Sequence, residues 1–240
     1  IYDTYIRLFG KNNKSLIEKD EIVWKNVKLF IKTLAENEHT YIKKEYKIRD
    51  KKEKKTIPSN NYENMYKKYL HIPIFNRIDE LYINPYERYW EKRYYKTLFH
   101  IEPTEENIKK ICINYLEGLE WTFKYYTVGC KNWRWKYNYH YPPLLVDLQK
   151  YIPNFNTNMI NDEPVNPVSP YVQLTYVLPK DSLHFLPKNI YNKVIQQFES
   201  YYPNDAELIW SYCTYIWESH PDLPNFDIDT IETFINPLIN

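Results

Sequence analysis

Apolar residues recur at helical spacing in three stretches of the chain and at alternating spacing in one. Val27, Phe30, Ile31 and Leu34 stand at i, i+3, i+4 and i+7. One apolar stripe of this kind predicts a single helix over 22–47, with Asp20 placed to cap its N-terminus. The clearest pattern runs over 104–128, where Ile108, Ile111, Cys112, Tyr115, Leu116, Leu119, Phe123 and Tyr126 recur at helical intervals. It predicts one continuous helix, buried on its Ile108/Ile111/Tyr115/Leu119 face, with Cys112 in the core. Thr104 can cap it, Glu105 and Glu106 suit the positive end of its dipole, and Gly129 suits a left-handed residue just past its end. Pro187 precedes a third stripe made of Ile190, Tyr191, Val194, Ile195 and Phe198.

The alternating stretch is CKNWRWKYNYHYPP, from Cys130 to Pro143. Aromatic residues fall at every second position, Trp133, Trp135, Tyr137, Tyr139 and Tyr141, with Lys131, Arg134, Lys136 and His140 between them. Period two predicts an extended backbone with all the aromatic rings on one side. Two readings stay open: a tyrosine-rich strand whose face is buried, or a platform on which bases stack between cationic groups.

The connections read differently. Ile42 to Lys55 is a tract of mixed charge with a positive excess, expected as a solvated linker or else as a phosphate-contacting arm. TIPSNNYEN, Thr56 to Asn64, is turn-rich and marks a boundary, dividing a linker helix and basic arm (1–55) from the remainder (56–240). Residues 150–170 are rich in proline and asparagine and are expected to form a surface loop. Ser169-Pro170 opens a short helix ending by Pro179, with proline at its first position. A last helix is expected near Asp229–Ile235. The fold class is therefore mainly α, with long irregular loops and an extended aromatic segment.

Composition narrows the chemistry. The chain has 240 residues, 26 of them tyrosine and only 3 glycine. Asparagine, lysine, isoleucine and tyrosine all have AT-rich codons, so coding bias accounts for much of the tyrosine. So few glycines leave no room for a phosphate-cradling loop or a nucleophile elbow. CxxC and HExxH pairs are absent, and three widely spaced cysteines cannot build a disulfide framework, which points to a reducing, cytoplasmic compartment. A formal charge of +1 gives no global steering toward nucleic acid, so any such binding rests on local patches. No apolar run reaches the ~18 residues a membrane span needs, so no membrane partner is expected.

Helix, glycine and aromatic run together read YLEGLEWTFKYYTVGCKNWRWKYNYHYPPLLVDL. This stretch resembles the second conserved region of the 5′→3′ exoribonuclease (XRN) family. The matching residues include Tyr115, Gly118, Leu119, Trp121, Tyr125, Tyr126, Gly129, Trp133, Trp135, Tyr137, His140, Tyr141, Pro143, Asp147 and Leu148. WEKRYYKTLFHI from Trp90, SPYVQLTYVLP from Ser169, FLPKNIY and the closing WESHPDLPNFDID resemble further runs of that family. VWKNVKLFIKTLAENE resembles its linker helix, and residues 42–65 are the weakest part of the match.

The resemblance implies the C-terminal part of an XRN nuclease core. In that family catalysis belongs to a separate acidic, magnesium-binding nuclease part, on the same polypeptide or another chain, and this sequence has no segment matching it. Its implied role is to wall the active-site pocket and contact single-stranded RNA. Trp133, Trp135, Arg134, Lys136 and His140 are the substrate-binding candidates, one of the two indoles stacking on the substrate. No catalytic residue, metal ligand or cofactor is assigned to this chain. Magnesium is expected in the nuclease part, and the chain alone is expected to be inactive. The alternative is a non-catalytic RNA-binding or assembly protein descended from such a nuclease, a remnant that would suit an AT-rich viral or plasmid genome.

Overall fold

A computed structural model describes all residues except 12–13, 59, 162–165 and 240. It is mainly α-helical and divides into two compact units, residues 1–165 with 211–217, and residues 166–210 with 218–240.

The first unit opens with α1 (Tyr2–Phe9) and a two-residue hairpin, β1 (Ile17–Glu18) and β2 (Glu21–Ile22). Lys19 and Asp20 turn this hairpin with positive φ, as tight hairpin loops require. Asp20 is thus a turn residue and not a cap. The predicted single helix over 22–47 is two helices, α2 (Trp24–Ala35) and α3 (Glu38–Glu53). The break falls at Glu36–Asn37, where Asn37 leaves the helical region (φ −113°, ψ 1°). Glu38 then turns its carboxylate onto the Leu145 and Val146 amides, at 2.6 and 3.0 Å. These are orphan donors at the start of α9 (Leu145–Tyr151), which a helix of any sequence must satisfy from outside.

The charged tract is no linker: it is most of α3, and its inward side is anchored. Arg49 and the Arg77 side chain are almost wholly buried around the equally buried Glu80. Arg49 grips both oxygens of Glu80 at 2.6 and 2.8 Å and also donates to the Cys213 carbonyl. Arg77 joins Glu80 (2.6 Å), Asp50 (2.8 Å) and Glu53 (3.0 Å) and lies over the Tyr46 ring. A buried charge persists only when paired in this way. The network ties α3 to α6 (Ile78–Ile83) and to the segment 211–217. Two short helices lie between, α4 (Tyr62–Leu70), capped by Asn61, and α5 (Ile72–Phe75).

Next come α7 (Trp90–Phe99) and α8 (Glu105–Thr127). α8 is continuous, as the periodicity requires. Thr104 accepts the Asn107 amide, and Gly129 sits at φ +100° with its amide on the Lys124 carbonyl. Of the predicted face, Ile111 is buried and Ile108 and Tyr115 pack against the core, with Cys112 inside it as expected; Leu119 is the exception. Ile111, Cys112, Leu116 and Glu120 are buried, whereas Leu119 is 38% exposed. Trp24, Cys112, Leu116, Leu148 and Ile152 form one core cluster of α2, α8 and α9. Glu120 replaces the expected apolar contact because its carboxylate accepts the Met159 and Ile160 amides at 2.5 and 3.0 Å and pairs with Lys124. It thereby pins the start of the irregular stretch that follows α9, a stretch whose residues 162–165 lie outside the described ones.

In the second unit, α10 (Pro170–Val177) is capped by Ser169 with proline first, as predicted. A 3-10 turn (Lys180–Phe185) leads to α11 (Lys188–Phe198), whose Ile190, Val194 and Phe198 are buried. β3 (Leu208–Ile209) pairs antiparallel with β4 (His220–Pro221). The last helix, α12 (Ile228–Ile239), is longer than predicted and contributes Ile231 and Ile235 to the core of this unit.

Candidate nucleic-acid interface

α8 has two working faces. The stripe through Cys112 and Leu116 faces the core. The other runs through Asn114, Glu117, Gly118, Trp121 and Tyr125, which share a face at helical spacing. This second stripe holds the aromatic segment. The Trp121 ring lies parallel to Tyr125 (centroids 5.3 Å, 16°) and to Trp135 (5.7 Å, 25°), giving a ladder of three rings. The Trp121 indole donates to the Asn132 carbonyl at 2.8 Å. Trp135 lies over Gly118 so closely that a Cβ there would sit 2.7 Å from its ring. Asn114 accepts the Asn138 amide at 2.9 Å and donates to Glu117 at 3.0 Å.

The alternation fails at its first step. Asn132 Oδ1 accepts the amides of both Arg134 (2.8 Å) and Trp135 (2.9 Å), an Asx turn of the kind asparagine favours. The turn sends Trp133 outward, 50% exposed, and Trp135 inward onto α8. The two indoles are therefore not on one side of an extended strand, and the segment pairs with no other strand among the described residues. Beyond the turn, Tyr137 packs edge-on against Tyr115 and donates to the Tyr141 carbonyl, Tyr139 packs on Phe99, and Tyr141 is buried. Burial raises the Tyr137 hydroxyl pKa well above the ordinary range and pushes Tyr141 up to about 12. Both stay neutral at physiological pH.

Of the substrate-binding candidates, Trp133, Lys136 and His140 are exposed, and Arg134 and Trp135 are half-buried. A cavity of about 450 Å³ is lined by Glu106, Lys109, Lys110, Glu117, Asn138 and Tyr139, among others. The bracing stripe itself is what periodicity missed. Its signal was Gly118, a glycine inside a helix of a glycine-poor chain, which marks close approach of another element. Asp147, in the matched motif, is structural here. It accepts from the buried Tyr95 hydroxyl, which itself accepts the Leu144 amide.

Among the described residues no three histidine, cysteine, aspartate or glutamate side chains converge as a metal site would require. No helix among the described residues is long and apolar enough to cross a membrane.

The family model described as the Xrn1 helical domain matches residues 78–238. Among curated proteins, the 5'-3' exoribonuclease 2 of Saccharomyces cerevisiae is 32% identical over 160 residues, covering 64% of this chain and 15% of that protein. The Gallus gallus protein of that name is 32% identical over 150 residues, covering 60% and 15%. That of Schizosaccharomyces pombe is 32% identical over 146 residues, covering 59% and 14%. The matched region is thus about one seventh of these relatives' length.

Proposed function

Because this chain belongs to the XRN family of 5′→3′ exoribonucleases, within its helical domain, we propose that it walls the substrate pocket of such an enzyme and contacts single-stranded RNA there. The hydrolytic metal chemistry then belongs to a nuclease part, on the same polypeptide or another chain. The observation that carries this reading is the braced aromatic turn. Trp135 is clamped on Gly118 and Trp121, and this clamp presents Trp133, half exposed, three positions before the exposed Lys136. An exposed indole on a segment that also carries cationic side chains suits a base with its phosphate, because stacking needs a flat open face and the phosphate a positive charge. In this arrangement Trp133 is the stacking residue, Lys136 and Arg134 supply positive charge, and Trp135 is a positioning residue. His140 lies on the same segment and orients or hydrogen-bonds the strand; it is not a proton-transfer group.

The test is a pair of substitutions in this chain. Trp133→Ala is expected to weaken binding of a short oligouridine by roughly 5- to 150-fold, the factor implied by ~1–3 kcal/mol per stacked base, with melting unchanged. Trp135→Ala is expected to lower stability by about 3 kcal/mol, through loss of its packing. Both variants melting early, with unaltered affinity in the folded fraction, would reduce the segment to scaffolding.

A further inference from the structure

A second aromatic and basic cleft lies in the first unit and shares no residue with the aromatic segment of 130–143. Its cavity, about 320 Å³, is bounded by the end of α3, by α4–α5 and by residues 214–215. Ile74 and Phe75 supply apolar lining, Lys52 and Lys55 supply charge, and His71 and Tyr215 supply rings. That volume is at the small end for ligand clefts, roughly 300–1,000 Å³.

Two features define the chemistry of the occupant. The first is a ladder of rings. His71 lies against Tyr215 (4.8 Å), and Tyr215 is stacked parallel on Trp217 at 4.3 Å and 8°. With one indole face covered by Tyr215, Trp217 is still 62% exposed, and it ends the ladder outside the cavity lining. The second is the division of charge along α3. Asp50 and Glu53 turn inward to the buried Arg77 guanidinium, whereas Lys51, Lys52, Lys54 and Lys55 are exposed. Among the described residues no carboxylate lines the cleft. The buried Arg77 thus occupies Asp50 and Glu53, the acids nearest the end of α3, and the side chains left to solvent there are lysines. An apolar peptide would gain nothing from the lysines, and a simple anion nothing from the rings. A ligand with a flat aromatic ring and an attached phosphate uses both.

We propose that this cleft is a second nucleotide-binding site. It takes one nucleotide of a single-stranded nucleic acid, with a base on the Trp217–Tyr215 ladder and its phosphates at Lys52 and Lys55. The site shares no residue with the Trp133 surface, so it adds a contact to the one proposed above and does not depend on it.

Binding of a fluorescein-labelled oligouridine to the full chain, followed by anisotropy across a salt series, tests this. Trp217→Ala is expected to weaken binding roughly 5-fold or more. The Lys52→Ala/Lys55→Ala double variant is expected to lower the slope of log affinity against log salt by about 1.4, at ~0.7 for each single-strand phosphate that a lysine no longer neutralises. All these side chains are exposed, so the variants should melt as the parent does. The proposal is overturned if both variants keep the parental affinity and salt slope, or if the parent binds no oligouridine. A loss confined to Trp133→Ala would likewise sink this site while leaving the first reading intact.

Discussion

At Gly118 two segments approach more closely than any side chain permits. A Cβ there would lie 2.7 Å from Cη2 and 3.3 Å from Cζ2 of Trp135. Trp135 has little room to yield, because its ring is stacked on Trp121, its Nε1 faces Glu117 at 3.4 Å, and the Asn132 turn fixes its backbone. Alanine is the better helix former by about 1 kcal/mol, yet overpacking of this kind costs ~1–3 kcal/mol. Gly118→Ala is therefore expected to leave stability level or lower it by up to about 2 kcal/mol. It should also change the near-ultraviolet circular dichroism of the tryptophan ladder. A denaturant titration and a near-ultraviolet spectrum check both. An unchanged spectrum with a stability gain would mean that the ladder is not clamped on this glycine. The same residue scale explains Trp133: the asparagine immediately before it, through one Asx turn, points it away from Trp135.

α8 shows how an element can be correct in extent and off at one position of its buried face, Leu119. Its ends follow local chemistry, a threonine cap and a glycine past the last turn. Its rotation follows its neighbours. Leu116 has no exposure and sits with Trp24 and Leu148, while Leu119 is 38% exposed. Leu116→Ala is expected to cost about 2–5 kcal/mol, the range for a core leucine. Leu119→Ala should stay near ~0.5 kcal/mol, as surface substitutions do. Equal losses in chemical denaturation would reject this orientation of the helix. The periodicity could not separate the two faces, because Tyr115, Leu116 and Leu119 all carry large apolar or aromatic side chains. The buried member of the next turn is Glu120, a carboxylate that no apolar pattern selects.

At the scale of the whole molecule the tyrosines set an alkaline limit. Burial raises the pKa of Tyr94, Tyr95, Tyr137, Tyr202 and Tyr212 well above the ordinary 10, and pushes Tyr141 and the Cys112 thiol up to about 12. The unfolded chain releases these protons near their ordinary values, whereas the folded chain retains them. Their contribution to stability is therefore fully present below about pH 9 and is lost as the pH rises toward and through the folded values. Each group removes about 1.4 kcal/mol per pH unit within that window. Thermal melts at successive pH values should show a flat midpoint up to about pH 9 and a steep fall above it. Tyrosinate absorbance should rise together with unfolding. A midpoint unchanged up to about pH 11 would contradict this.

The extents of α8 and α10, the Thr104 and Ser169 caps, the Gly129 terminus and the family itself were all written in local residue order. Caps, periodicity and motif spacing act between residues a few positions apart, so a linear reading reaches them. The charged tract over 42–55 was not readable in that way. Arg49 meets Glu80 across 31 positions and the Cys213 carbonyl across 164, and only this pairing turns a seemingly solvated run into a buried anchor. Glu38 on the start of α9 and Glu120 on the Met159 and Ile160 amides are the same kind of long-range partnership. The candidate surface lies between the two cases. The aromatic residues and their motif were legible in order. Which indole faces outward was decided by the fit of Trp135 over Gly118, because burial and close approach depend on neighbours that only the folded chain brings together.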